Sequence, residues 1–127
     1  MYYSYEEYLK GQMTMPAEEA EILHSMIIKS INQDEDALEL YDDLINLSSD
    51  YVTIRSNWTT HDRKWKQDND KRRTAIHDVL ISQFDILARY LKSQGKDTSW
   101  RDEIGDNRKR IGDFACYLVY VHSLNGR

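Results

Sequence analysis

A single cysteine, Cys116, in 127 residues excludes an internal disulfide and any cysteine-rich zinc cluster. A single proline, Pro16, and five glycines leave few helix breakers, so long helices can run uninterrupted. No apolar run approaches the roughly 20 residues that a membrane span requires. The first ten residues, MYYSYEEYLK, place Glu6 and Glu7 where a secretory signal would be basic and then apolar, so the expected location is cytoplasmic, with no membrane contact. No Gly-rich phosphate loop exists, because Gly105 and Gly112 are too far apart to form one, and no Ser-His-Asp spacing stands out.

What is present is the composition of a folded domain, 40% hydrophobic and 31% charged. A chain of this length buries about two-thirds of its unfolded surface, so one domain over residues 1–127 needs no metal or disulfide staple. Pro16 heads AEEAEILHSMIIKSI, in which Ala20, Leu23, Ile27 and Ile31 recur at helical spacing, and Glu18 and Glu19 suit the positive helix start. Ser4 and Glu7 form a capping pattern before it, with Gly11 closing a short helix over 5–10. Asp34 opens a longer helix whose stripe runs through Ala37, Leu40 or Tyr41, Leu44, Leu47, Tyr51, Ile54 and Trp58. A third stripe, Ile76, Leu80, Phe84, Leu87 and Leu91, ends at Gly95. Residues 114–121 (FACYLVYV) are apolar on every side. With no partner strand elsewhere, they read as a central helix packed on several faces, and Gly112 within it marks a close helix approach. The expected fold is all-α: a compact bundle of four main helices at about 16–32, 34–58, 68–94 and 107–124, plus one or two short ones. Residues 57–70 read equally as a loop or as continuous helix.

The charge is unevenly placed. Residues 1–53 carry 12 acids against Lys10 and Lys29, a net of −10, while residues 54–127 carry 15 bases against 10 acids, a net of +5. Such asymmetry points to a charged partner, or to two halves that neutralise each other within the bundle or across a homodimer. The densest basic stretch is 61–73, HDRKWKQDNDKRR. There Lys64, Lys66, Arg72 and Arg73 offer phosphate contacts and Trp65 offers a stacking face, although three aspartates are interspersed. The acidic residues Glu18, Glu19, Asp42 and Asp43 suit a basic protein surface.

Chemistry-bearing constellations are sparse. His24, His61-Asp62 and Asp113 follow the order of the ligands in HD-class metal phosphohydrolases, but the HD pair lies in a polar segment, and no metal or cofactor is expected. Arg72 and His77 match the R-x4–6-H pattern of HEPN ribonucleases, in which arginine stabilises phosphate charge and histidine moves a proton without metal. Composition alone generates such a pair by chance, and Arg55 with His61 is a second one. The plain alternative for His77 is a boundary histidine beside Thr74, Leu80 and Ile81. Cys116, amid FACYLVYV, reads as a buried small hydrophobe.

Tyr2, Tyr3, Tyr5 and Tyr8 crowd the first eight residues, more aromatic area than one short helix can bury, which favours an interface. The segments KRRTAIHDVLISQFDILARYL and DNRKRIGDFACYLVYV resemble a small family of helical bacterial and phage-associated proteins of uncharacterised function. That resemblance implies a helical fold and no particular activity. The expected function is therefore a non-enzymatic interaction protein with a macromolecular partner, foremost a protein. An anti-CRISPR-like inhibitor covering the basic groove of a nucleic-acid-handling enzyme is a specific form. The HEPN-like ribonuclease and a nucleic-acid binder acting through 61–73 are the alternatives.

Overall fold

The computed structural model describes residues 14–58 and 61–124, and among them it contains five helices and no strand. They are α1 (Ala17–Ile31), α2 (Glu35–Asn57), α3 (Arg63–Ser93), α4 (Ser99–Ile104) and α5 (Arg108–Leu124). The all-α bundle expected from periodicity is the fold observed. The short helix expected at 5–10, and with it Tyr2, Tyr3, Tyr5 and Tyr8, lies outside the described residues.

Local chemistry sets each boundary. Asp34 caps α2 by accepting from the backbone N–H groups of Asp36 and Ala37 at 3.0 and 3.1 Å. Its carboxylate also receives the Tyr90 hydroxyl of α3 at 2.8 Å. These bonds, led by the one from the Ala37 N–H, hold its carboxyl below the usual range. α3 ends at Ser93, and beyond it Gly95, with a φ of 75°, allows Lys96 N–H to reach back to the Leu91 carbonyl at 3.0 Å. Asn107 caps α5 through bonds from the Lys109 and Arg110 N–H groups.

The start of α3 corrects the expectation. The helix begins at Arg63 rather than near residue 68, because Asp62 accepts from the Trp65 N–H at 2.9 Å and caps it there. Arg, Lys and Gln then sustain an exposed first turn without apolar periodicity. α4 was not located by the sequence pattern; Trp100 and Ile104, both fully buried, pin it to the bundle.

α2 packs chiefly on α3 and α5, and α1 on α4 and α5, so α5 is the element that all the others share. Every residue from 111 to 119 is buried, which is why that run is apolar all round. Phe114 meets Phe84 of α3 with ring centroids 5.9 Å apart. Each large apolar side chain removed from water here contributes about 1.5–3 kcal/mol. One polar residue interrupts the run. Asp113 is 1% exposed, and its burial defines the site below.

Candidate functional site: a cationic cleft

The last turns of α2, the first half of α3 and the start of α5 enclose a cleft of about 290 Å³. Tyr51, Arg55, Arg73, Thr74, His77, Arg108 and Lys109 line it. Its placement follows from Gly112. A Cβ there would stand 2.6 Å from the Tyr51 hydroxyl oxygen and 3.2 Å from Arg55 Nη1, so a larger residue would displace the ends of these two side chains from α5.

Arg55 reaches across the interface to Asp113 at 2.7 Å and donates to Cys116 Sγ at 3.4 Å. Burial alone would disfavour its charge, but Cys116, Tyr51 and Asp113 beside it hold the guanidinium protonated. The second oxygen of Asp113 accepts from the Thr14 backbone N–H at 2.6 Å and from its hydroxyl at 3.1 Å. Asp113 is therefore the buried counter-ion of Arg55 and the anchor of the chain leading into α1, not the distant ligand of an HD metal site. His61 stacks on Trp65 at 3.8 Å, and Asp62 caps α3. Among the described residues no three His, Cys, Asp or Glu side chains are grouped to hold a metal ion.

His77 is 6% exposed. Its Nε2 lies 2.8 Å from the Arg108 carbonyl, an acceptor only, so Nε2 carries the proton. Nδ1 is left as a lone-pair acceptor, buried and without a hydrogen-bond partner. Burial, with Arg108 and Arg55 adding repulsion, keeps the ring neutral more readily than a free histidine, against the opposing Arg108 carbonyl bond. The Tyr51 ring meets it edge-on at 5.1 Å, and burial pushes the Tyr51 hydroxyl up, so it remains a donor.

One stripe of α3 continues the cleft. Lys66, Asp70, Arg73, Thr74 and His77 follow helical spacing over about 16 Å. The Arg73 guanidinium lies 4.0 Å over the Trp58 ring and bonds Asp70 at 3.1 Å. Trp58 and Trp65 pack edge to face at 5.4 Å, and Trp58, Arg63, Lys66, Gln67 and Asp70 line a shallow hollow of about 360 Å³. Arg73 thus joins the cleft to an aromatic patch.

No family model, characterised protein or solved structure matches this chain. The functional reading therefore rests on geometry.

The residues singled out from the sequence are brought together only in part. Arg73, not Arg72, accompanies His77: Arg72 is exposed and lies about 140° around the α3 axis from it, as five residues at 3.6 per turn require. Lys64 is likewise exposed and lies about 200° from Lys66, off the stripe. The acidic residues form two groups. Glu19 bonds Arg110 at 2.6 Å, near the start of α5, with Glu18 beside it. Asp42 and Asp43 follow Tyr41, whose hydroxyl contacts His122 Nε2 near the end of α5 at 3.0 Å. Those anchors are 12 residues, about 18 Å, apart along α5. Cys116 is buried, as its surroundings imply. Arg108 and Lys109 carried no motif, Thr74 appeared only as a neighbour of His77, Tyr51 only in the α2 stripe and Arg55 only with His61. Gly112 was the signal for the close approach that brings Tyr51 and Arg55 to the cleft.

The charge asymmetry also takes a definite form. Six ion pairs occur among the described residues, and only Arg110 with Glu19 joins the acidic half to the basic half. Among the described residues, that is the one ion pair between the two halves.

Proposed function

We propose that this protein acts by binding a macromolecular partner, and that the partner is nucleic acid held by its phosphates in the cationic cleft. The observation that carries the reading is convergence: Arg55, Arg73, Arg108 and Lys109 come from three helices to one cleft, beside an indole pair. Arg108 and Arg73 are engaged by Asp78 and Asp70, but these are exposed pairs worth about 0–1 kcal/mol, which phosphate oxygens readily replace. One face of Trp58 lies under Arg73 and one face of Trp65 under His61, so an unpaired base would stack on the opposite faces, which favours a single strand.

Fluorescence anisotropy with labelled single-stranded 12-mers, over a series of salt concentrations, tests this. The expected result is binding that weakens steeply with salt. Combined Arg73→Gln, Arg108→Gln and Lys109→Gln changes should lower affinity more than tenfold and flatten the salt slope by about one for each phosphate no longer held. Circular dichroism checks that the variant remains folded. Absence of binding at low salt rejects the reading.

A protein partner is favoured by a different observation. Ile22 is 62% exposed and lines, with Met26 and Pro16, a groove of about 500 Å³ edged by Glu18, Glu19 and Glu103. This groove suits a basic, partly apolar segment, such as the anti-CRISPR-like mode of inhibition would engage. Because the two acidic groups are separated, Glu18→Gln with Glu19→Gln should abolish capture of such a partner, while Asp42→Asn with Asp43→Asn should not. Equal effects in a pull-down would argue against the groove.

A further inference from the structure

We infer that the strand bound in the cleft is RNA, read by a hydrogen bond from a ribose 2′-hydroxyl to Nδ1 of His77. The inference rests on the phosphate-binding reading of the same cleft and adds the class of nucleic acid to it. Its ground is an imbalance of hydrogen-bonding groups. Arg55, Arg73, Arg108 and Lys109 present donors only. Thr74 and Tyr51 present hydroxyls that donate or accept. His77 alone contributes a group that can only accept, since its Nε2–H is spent on the Arg108 carbonyl. His77 is 6% exposed as a residue and its Nδ1 is closed off from solvent without a partner, a desolvation penalty that a ligand donor reaching it removes. The fitting ligand therefore bears anionic oxygens for the guanidinium groups and a hydroxyl next to them for the imidazole. In a nucleic-acid strand that hydroxyl is the 2′-OH, adjacent to the 3′-phosphate. It is both donor and acceptor, and DNA lacks it. To meet Nδ1, the strand must part the exposed side chains at the mouth, among them Arg108, 52% exposed at its side chain.

Trp58, at the end of α2, packs under the Arg73 guanidinium and against Trp65 of the first α3 turn, so a base neighbouring the recognised ribose can stack there while its phosphate meets Arg73.

The test uses the full chain and three labelled single strands of one sequence: RNA, DNA and 2′-O-methyl RNA. Unmodified RNA should bind about fivefold more tightly than the other two, the worth of one hydrogen bond to an otherwise unpaired buried acceptor. His77→Gln preserves a donor for the Arg108 carbonyl and replaces the Nδ1 acceptor by an amide oxygen one bond further out on the side chain. In that variant RNA should bind no more tightly than DNA, with the salt slope unaltered. In the unsubstituted protein, the ¹⁵N resonance of His77 Nδ1 should shift on adding RNA and stay in place on adding DNA. Equal affinity of the three strands for the unsubstituted protein overturns the RNA inference and leaves the phosphate reading standing. Failure of all three to bind overturns both. The strand comparison requires no variant, so loss of fold in His77→Gln leaves the inference fully testable.

Discussion

His77 and His24 share one physical situation: each is held below its ordinary value, first by burial. Repulsion adds to it, from Arg108 and Arg55 for His77 and from His122 for His24. A histidine whose folded value is depressed takes up a proton on unfolding whenever the pH lies between the two values. Above about pH 6.5 both states are neutral and nothing is lost. As pH falls below that point, the unfolded chain is protonated and the folded one is not, so stability declines, by up to about 1.4 kcal/mol per pH unit for each group. Urea midpoints should therefore drop between pH 7.5 and 5.5, and His77→Gln should make the decline shallower. A flat profile would contradict the burial argument. Gly112 gives a steric prediction. In Gly112→Ala the new methyl meets the Tyr51 hydroxyl at 2.6 Å, and Tyr51 is itself packed edge-on against His77. The strain, about 1–3 kcal/mol, exceeds the gain of about 1 kcal/mol in helix propensity. The variant should melt below the parent in calorimetry and bind nucleic acid less tightly, because Tyr51 and Arg55 are pushed from the cleft wall.

At the scale of elements, α2 shows what periodicity can and cannot reveal. Of its expected stripe, Ala37, Tyr41, Leu44, Tyr51 and Ile54 are buried as the spacing implies, while Leu47 and Trp58 are half-buried. The turn joining α2 to α3 was ambiguous because its residues are polar and charged, and nothing apolar repeats in them. One carboxylate resolves it. Asp62→Ala removes the side-chain cap on a 31-residue helix that starts with no acidic residue in its first turn. The expected cost is about 1 kcal/mol, and amide exchange should accelerate over 63–67 while the core of α3 stays protected. The effect belongs to function too, since Trp65 and Lys66 occupy that turn. α4 was hidden for a different reason. Six residues span less than two turns, too short for a 3.6-residue period to be recognised, and its position comes from Trp100 filling a place between other helices.

For the whole molecule, what was legible was whatever depends on neighbours along the chain. The helical class, the buried stripes, the all-round apolar character of α5 and the close approach at Gly112 all follow from spacing and residue type. So does the asymmetry of a −10 half and a +5 half. The meaning of that asymmetry was not legible, because Coulomb interactions depend on distance in space. The sequence permitted internal neutralisation; among the described residues the fold joins the two halves by one ion pair, Arg110 with Glu19. The cleft was hidden for the same reason. Arg55, Arg73 and Arg108 are separated by 18 and 35 positions, and it takes the packing of α2, α3 and α5 to bring them to one cavity. Even the choice between Arg72 and Arg73 as the companion of His77 turned on helical phase relative to the core. Which segments are helical, and which faces they bury, is settled along the chain, by local geometry and by the exclusion of apolar surface from water. Which charges meet, and which buried nitrogen is left without a partner, is settled by folding alone, since both depend on contacts between residues far apart in the chain.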